Sequence, residues 1–373
     1  MRDFTSGSWH WHFRDAADWS ALNAAPERAL ESGEVVRVMP GERKVCRFGD
    51  FYFKLYLPAE KGGFFRRLAR RFRPDAEREF RAIELLERRG IPVVSPVAWG
   101  VSGGSSAIVT RAAVGTVDVL GVLTGYLDSD TPIPEAFLHD FSAFLAGLMR
   151  KGLYFPDFHN GNLLWNPEKG TFTVVDPLGV RRDPFRLRRR MLRMLKRQFA
   201  LLLESQTKPC LLKMLAEFAP RDPEALYRDL IRYNAEYVRT SPMRKQKRLK
   251  EFRCGAFVRV TDGGIAVKLC RDQQYFELDG TEKLSLGPDA AVEMWERDFV
   301  FGLYRLPLLR IVGRDPKSGT LYRQRAGSAP VDPARRAELL EMLELSGLGP
   351  ASDFDFCTDV AGRTLLVDRK FGI

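Results

Sequence analysis

Residues 157–165 read Asp157-Phe158-His159-Asn160-Gly161-Asn162-Leu163-Leu164-Trp165, and residues 174–179 read Val174-Val175-Asp176-Pro177-Leu178-Gly179. Asp157 stands five positions before Asn162, and Asp176 follows Asn162 by fourteen positions at the end of an apolar run. An enzyme that transfers a phosphoryl group needs such a set. One carboxylate receives a hydroxyl proton, while an amide and a second carboxylate hold Mg²⁺ on the nucleotide phosphates. The alternative is a polar loop whose Asp and Asn side chains only form turns.

The segment that joins Asn162 to Asp176 predicts a β-hairpin. Its two apolar arms are Leu163 to Trp165 and Thr171 to Val175, and the turn between them is Asn166-Pro167-Glu168-Lys169-Gly170. Because the two arms of a hairpin run antiparallel, we expect Asn162 and Asp176 at the same end of it.

The composition is that of a soluble globular protein. The chain has 373 residues, 45% hydrophobic and 29% charged, so we expect one large domain or two with a sizeable core. We find no apolar run long enough to span a bilayer and no signal-peptide core, and we therefore expect a cytoplasmic protein. The five cysteines are scattered along the chain, which favours reduced thiols over a metal site.

The net charge of +11 is concentrated in three basic clusters, at residues 61–73, 181–197 and 244–250. Such clusters suit nucleic acid, an anionic membrane surface or an acidic substrate, and they also occur as solvated helix faces. In the middle cluster, residues 186–195 interleave bases with Leu and Met at helical spacing. This pattern predicts a basic amphipathic helix, which suits a membrane surface but could equally pack its apolar stripe on a core.

The N-terminal part of the chain predicts several strands and a lysine inside one of them. Residues 9–13 read Trp9-His10-Trp11-His12-Phe13, which predicts an edge strand with its histidines on the surface. Residues 34–57 alternate like strands around a turn at Pro40-Gly41, and Lys54 lies in the otherwise apolar stretch from Phe51 to Tyr56. A buried ammonium is costly unless it reaches an anion. The alternative is an edge-strand lysine that points to solvent.

A helix that follows this strand supplies the candidate anion. It is predicted from Pro74 to Arg89, with a proline and acids at its start and Gly90 at its end. Glu79 and Glu84 are both candidates to meet Lys54. Glu79 is favoured because it lies beside the apolar stripe of the helix.

This order of elements resembles the protein-kinase-like fold. Within that fold, the chain is similar to the bacterial lipopolysaccharide core kinases, which phosphorylate heptose or Kdo sugars. The resemblance covers about residues 30–250 and implies an α+β, bilobal architecture, with a small β-rich lobe over about 30–112 and a large helical lobe over about 113–250. It also implies ATP and Mg²⁺ as cofactors.

The resemblance assigns a role to each candidate residue. Lys54 would hold the α- and β-phosphates of ATP, and Glu79 would orient Lys54. Asp157 would be the catalytic base, and Asn162 and Asp176 would be the Mg²⁺ ligands. The turn that contains Gly41 would cover the phosphates.

Several positions depart from protein kinases. Phe155-Pro156 stand where protein kinases carry His-Arg, and Asp176-Pro177-Leu178-Gly179 replaces Asp-Phe-Gly. Pro40-Gly41 stands in place of a glycine-rich loop, and no activation segment precedes the basic residues from Arg181 onwards. These departures favour a sugar or small-molecule kinase over a regulated protein kinase. We expect an anionic glycolipid or sugar acceptor, and a peripheral contact of the basic helices with the inner face of the cytoplasmic membrane.

Residues 251–373 echo part of the first domain, which we expect to span residues 1–250. Lys268 stands where Lys54 does, residues 296–299 echo the region of Glu79, and Asp368 echoes Asp176. Asp355 falls at the place of Asn162, while Pro350, which cannot act as a base, falls near the place of Asp157. We interpret this part as a truncated, degenerate kinase-like repeat. The alternative is a chance similarity among short strand and helix patterns.

Three other functions remain open at this stage. The first is a kinase that acts on protein or on another small molecule. The second is a pseudokinase scaffold, against which the complete set of Lys54, Glu79, Asp157, Asn162 and Asp176 argues. The third and least favoured is nucleic-acid binding through the basic residues 181–197.

Overall fold

The computed structural model describes residues 2–15, 31–39, 43–58, 73–128, 133–182, 208–218, 222–239, 242–269 and 276–369. The chain forms two compact units, the first comprising Met1–Leu120 and Phe144–Leu187, and the second Gly121–Ala143 and Arg188–Ile373. The predicted division at residue 250 stays a prediction. Gly41 and the basic segments 61–72 and 186–195 lie outside the described residues.

The first unit is built on a seven-stranded antiparallel sheet with strand order β1-β2-β6-β7-β5-β4-β3. Its strands are β1 (Arg2–Ser6), β2 (Trp9–Phe13), β3 (Glu34–Met39), β4 (Arg43–Phe48), β5 (Phe51–Tyr56), β6 (Pro96–Ser102) and β7 (Ser105–Arg111). The prediction of an edge strand at residues 9–13 is wrong, because β2 pairs with β1 on one side and with β6 on the other. The polar residues of β1 showed no strand periodicity, and they are held in the sheet by backbone pairing.

Aromatic side chains of β2 cover one face of the sheet. Trp11 and Phe13 are buried and share a core cluster with Phe53 of β5 and Val109 of β7. Gly100 of β6 gives the Trp11 ring its space, because a Cβ atom at this position would lie 2.6 Å from that ring. The N-terminal hairpin β1–β2 therefore completes a core on this side of the sheet.

The predicted helix covers the opposite face. It is α1 (Asp75–Arg88), with Asp75 and Glu77 in its first turn, where acids interact favourably with the helix dipole. Its fully buried residues include Ala76, Phe80 and Ile83, which share a core cluster with residues of the sheet. At its end, the Lys151 ammonium donates hydrogen bonds to the carbonyl oxygens of Arg89 and Gly90 at 2.6 and 3.0 Å.

The predicted hairpin is confirmed. The chain continues through β8 (Val117–Asp118), α2 (Val119–Asp128), α3 (Glu135–Arg150) and β9 (Leu153–Tyr154), then forms β10 (Leu163–Asn166) and β11 (Thr171–Val174). The two hairpin strands are antiparallel, with Leu163 opposite Val174. Backbone hydrogen bonds also join Val174 to Pro92 and Val94, at 3.0 and 3.1 Å. The hairpin is thus fixed to the segment that links α1 to β6. A short strand, β12 (Arg181–Arg182), follows it and pairs with β9.

The second unit contains helices followed by a second sheet. Its helices in this region are α4 (Lys208–Phe218), α5 (Pro223–Arg239) and α6 (Pro242–Arg253). Then come β13 (Val258–Val260), β14 (Ala266–Lys268), β15 (Glu282–Ser285), α7 (Pro288–Gly302), β16 (Ile311–Asp315), β17 (Thr320–Arg323), α8 (Pro333–Ser346), β18 (Phe354–Thr358) and β19 (Thr364–Asp368). The sheet order is β13-β14-β16-β17-β15, and β18 and β19 form a separate hairpin.

The second unit repeats some features of the first but not its strand order. Leu366 is hydrogen-bonded to Pro307 and Leu309 at 3.0 and 2.9 Å, as Val174 is to Pro92 and Val94. However, β14 pairs with β16, the first strand after its helix, whereas β5 pairs with β7, the second strand after α1. The degenerate repeat therefore stays a prediction, and its sheet is connected differently from the first.

Candidate active site

Strand β5 places Lys54 in the middle of the first sheet. Phe51 and Phe53 alternate with Lys54 along this strand and pack into the core beneath the N-terminal hairpin, so Lys54 faces the side covered by α1. Its ammonium donates to Glu79 Oε2 at 3.0 Å and to Asp176 Oδ1 at 2.5 Å. The side chain is only 12% exposed. The alternative of a solvent-facing lysine is therefore wrong.

Glu79 is the buried partner of Lys54. It is 3% exposed, and the Tyr56 hydroxyl also donates to its carboxylate. Burial raises the pKa of Glu79, although the nearby Lys54 charge opposes this shift. Burial and the Glu79 charge raise the pKa of Tyr56 well above its ordinary value. Glu84, the other candidate, pairs instead with Arg81 at 3.0 Å.

Asp176 follows β11 and has a left-handed backbone conformation, with φ of +51°. Such a conformation is uncommon for a residue other than glycine and marks a constrained position. Arg43 of β4 donates to Asp176 Oδ2 at 2.9 Å, so cations contact both carboxylate oxygens. Burial alone would raise the pKa of Asp176, but the charges and hydrogen bonds of Lys54 and Arg43 lower it below the ordinary value.

Asn162 ends a short 3₁₀ turn formed by residues Asn160–Asn162. Its side-chain Nδ2 donates to the carbonyl oxygen of Asp157 at 3.0 Å, and its own carbonyl accepts from the Val175 amide at 2.9 Å. Because Nδ2 is the donor atom, Oδ1 is the side-chain atom that can serve as a metal ligand. The two hydrogen bonds tie Asn162 to the Asp157 loop on one side and to the Asp176 segment on the other.

Asp157 is exposed, between two aromatic side chains that are buried. Phe155 and Phe158 are 4% and 2% exposed, and their ring centroids lie 5.0 Å apart. These rings anchor the loop on both sides of Asp157 while its carboxylate stays accessible. A base that takes a proton from an incoming hydroxyl needs this accessibility.

Asp157, Asn162 and Asp176 line one cleft, as the sequence predicts. Its remaining walls are the apolar residues Phe155, Phe158, Val174, Val175, Pro177 and Leu178. Together with Lys54 and Glu79, the first unit combines an exposed carboxylate, an amide oxygen, a second carboxylate and a buried lysine. Amide and carboxylate oxygens are the donors that Mg²⁺ prefers, so the residues present fit this ion.

The sequence patterns did not indicate Arg43 and Tyr56 as site residues. The position of Tyr56, on the same face of β5 as Lys54, was the available signal.

Lys268, Asp298 and Asp368 of the second unit, which echo this site, are buried and contact charged partners. The Lys268 ammonium donates to Asp298 Oδ2 at 2.5 Å, and Arg310 donates to the same oxygen at 3.2 Å. Asp368 is fully buried and accepts a hydrogen bond from Arg297. Burial lowers the pKa of Lys268 to about 8, although Asp298 opposes the shift.

The comparisons with known proteins identify the family. A sequence model of the lipopolysaccharide kinase (Kdo/WaaP) family matches residues 32–233, which is more than half of the chain. The chain belongs to this family. This match confirms the resemblance to lipopolysaccharide core kinases that the sequence indicated, and it confirms the kinase-like α+β fold class. The family is one of sugar kinases, which are phosphotransferases with an alcohol group as acceptor.

Solved structures of WbdD show a weaker likeness. A complex of WbdD with a kinase inhibitor is 15% identical, with a TM-score of 0.36 over 48% of this chain and 39% of that chain. A second WbdD crystal structure is 14% identical, with a TM-score of 0.37 over 52% of this chain and 43% of that chain. The match thus spans about two fifths of the length of the WbdD chains. No curated protein matches the chain.

The described residues include no helix that is long and apolar enough to cross a membrane. The role of each site residue, the use of ATP and Mg²⁺, and contact with a membrane surface remain predictions. Gly41 lies within the family match but outside the described residues.

Proposed function

We propose that this protein transfers the γ-phosphoryl group of ATP to a sugar hydroxyl, on heptose or Kdo, in the inner core of lipopolysaccharide. The observation that carries the proposal is the meeting of Lys54, Glu79 and Asp176 at one point, beside a cleft that also holds Asp157 and Asn162. Membership of the lipopolysaccharide kinase family supports the choice of a sugar acceptor.

In this proposal the chain itself supplies positioning and charge. Lys54 binds the α- and β-phosphates, and Glu79 holds the ammonium in place with the help of the Tyr56 hydroxyl. Asn162 Oδ1 and the Asp176 carboxylate would hold Mg²⁺, which neutralises phosphate charge when it is bound with the nucleotide. Asp157 accepts the proton of the sugar hydroxyl as the hydroxyl oxygen bonds to the γ-phosphorus, while the bond from that phosphorus to the bridging oxygen breaks and ADP leaves.

The acceptor proposed here is an anionic glycolipid at the inner face of the cytoplasmic membrane. Exposed bases on α6, among them Lys247, Arg248 and Lys250, support contact with such a surface. Each base near an anionic membrane contributes on the order of 1 kcal/mol. Flotation with lipid vesicles tests the membrane contact separately. The protein should float together with vesicles that contain anionic lipid and should dissociate from them at high salt.

An acceptor panel tests the proposed reaction. The purified protein would be incubated with radiolabelled ATP and Mg²⁺ together with phosphate-free inner-core oligosaccharide, a peptide mixture or an aminoglycoside. The proposal expects label on the oligosaccharide alone. Label on peptide or aminoglycoside would instead support a different kinase activity, and binding of ATP without any transfer would support a scaffold.

The panel needs variants that separate the chemistry from the fold. Asp176→Asn removes the carboxylate proposed to hold Mg²⁺ and should abolish labelling. Asp50→Asn is a matched control, because Asp50 lies exposed in the turn between β4 and β5, and it should label the oligosaccharide as the wild type does.

A further inference from the structure

Arg43 lies at the start of β4, where it contacts the Asp176 carboxylate. It is the first residue of β4 and directly follows the turn predicted to cover the nucleotide phosphates. Its guanidinium contacts Asp176 Oδ2 at 2.9 Å, while Lys54 contacts Asp176 Oδ1 at 2.5 Å. The Arg43 side chain is 25% exposed, about twice as much as that of Lys54 at 12%. Arg43 is thus the more accessible of the two cations on Asp176.

A metal ion on Asp176 would compete with this arrangement. A cation held by the carboxylate would lie near the guanidinium, and the two positive charges would repel each other. The nucleotide that arrives with the metal brings several anionic phosphate oxygens. A guanidinium matches phosphate oxygens especially well, because its N–H groups form a planar fork that donates two parallel hydrogen bonds.

The composition of the neighbouring turn strengthens this reasoning. Glycine-rich phosphate loops bind phosphate through consecutive backbone N–H groups, but this turn reads Pro40-Gly41-Glu42. Pro40 has no N–H group to donate, so this sequence offers fewer backbone donors than a glycine-rich loop. Arg43 is the next residue along the chain and carries a cationic side chain that can donate to phosphate.

We propose that Arg43 is a phosphate-binding residue of the nucleotide site, which rests on Asp176 in the nucleotide-free protein and moves to the terminal phosphates of ATP when the metal takes Asp176. This assignment rests on the proposed function, since it assumes that the cleft binds a nucleoside triphosphate. Arg43 and Lys54 then have matching roles, as internal counterions of Asp176 before binding and as phosphate ligands afterwards.

Calorimetric binding of Mg·ATP, Mg·ADP and adenosine to the full chain tests the assignment. A hydrogen bond to a charged group is worth about 1.5 kcal/mol or more, so Arg43→Gln should weaken Mg·ATP binding by about tenfold or more. The loss should be smaller for Mg·ADP, and adenosine should bind as tightly as to the wild type. Arg43→Lys, which keeps the charge but not the fork, should give an intermediate affinity for Mg·ATP.

Arg47→Gln is the matched control, because Arg47 lies on the same strand and is exposed, and it should bind all three ligands normally. Unchanged or tighter Mg·ATP binding by Arg43→Gln would overturn the assignment, since a residue that only competes with the metal would give tighter binding when removed. An equal loss for adenosine would also overturn it by indicating a structural role. Failure of the wild type to bind Mg·ATP would overturn the proposed function, and this assignment with it.

Discussion

The buried ion pair of Lys54 with Glu79 gives the sharpest stability prediction. Lys54→Met removes the ammonium that pairs with the Glu79 carboxylate. Glu79 is 3% exposed, and it keeps the hydrogen bond from the Tyr56 hydroxyl. An uncompensated buried charge costs several kcal/mol, and the carboxylate can avoid part of this cost by taking up a proton. The pKa of Glu79 is already raised by burial, so protonation is the expected outcome in the variant.

The cost of that proton sets the magnitude. An unfolded glutamate has a pKa of about 4.3, so keeping Glu79 protonated in the folded state costs about 4 kcal/mol at pH 7 and about 2 kcal/mol at pH 5.5. A carboxyl whose pKa is raised in the folded state stabilises the protein most at low pH, and this stabilisation is lost as the pH rises through that pKa. The variant should therefore unfold at a Tm about 5 °C or more below that of the wild type at pH 7, with a smaller deficit at pH 5.5.

Thermal unfolding of the wild type and the variant at both pH values tests this prediction. Lys169→Met is the control, since Lys169 lies exposed in the turn of the β10–β11 hairpin, and it should unfold as the wild type does. The double variant Lys54→Met with Glu79→Gln removes the buried carboxylate and should recover much of the lost stability at pH 7. A deficit that does not depend on pH, or no recovery in the double variant, would show that the buried Glu79 carboxylate is not the cause of the lost stability.

Three further perturbations follow from particular contacts. Tyr56→Phe removes the hydroxyl that donates to Glu79 and should lower the free energy of unfolding by about 1 to 2 kcal/mol, measured by urea denaturation; an unchanged value would show that this hydrogen bond does not contribute. Gly100→Ala puts a Cβ atom 2.6 Å from the Trp11 ring and should lower the free energy of unfolding by about 1 to 3 kcal/mol. Quenching of tryptophan fluorescence should increase, because the indole of Trp11 becomes more accessible. A variant as stable as the wild type would show that Gly100 does not limit the packing of Trp11. Lys268→Met removes the ammonium that pairs with the buried Asp298 carboxylate, so it should lower the stability of the second unit. Calorimetry should still give one Mg·ATP bound per chain. If the wild type binds two and this variant binds one, the second unit also binds nucleotide.

Much of the first unit could be predicted from local sequence patterns. The Lys54 strand, helix α1 and the β10–β11 hairpin each have a clear periodicity and clear end signals, and the structure confirms all three. The contact of Lys54 with Glu79 was predictable as well, because a lysine in a buried strand needs an anion and the next helix offered two candidates.

The remaining features depend on distant parts of the chain. Arg43 is 133 positions from its partner Asp176, and an arginine at the start of a strand carries no sign of which carboxylate it meets. Likewise, β1 is polar, and its place in the sheet comes from pairing with β2, including the contact of Asp3 with His12 at 2.7 Å. In the second unit, the direct pairing of β14 with β16 was not predictable, since the segments look like those of the first unit while their order in the sheet is decided by tertiary packing.

We propose Asp157 as the base of an ATP-dependent sugar kinase. The most direct measurement is mass spectrometry of phosphate-free inner-core oligosaccharide after incubation with Mg·ATP and either the wild type or Asp157→Asn, together with calorimetry of Mg·ATP binding to both. We expect a gain of one phosphate with the wild type, a rate lower by about 100-fold or more in the variant, and equal affinity of both proteins for Mg·ATP. Equal phosphorylation by the wild type and Asp157→Asn would contradict this proposal.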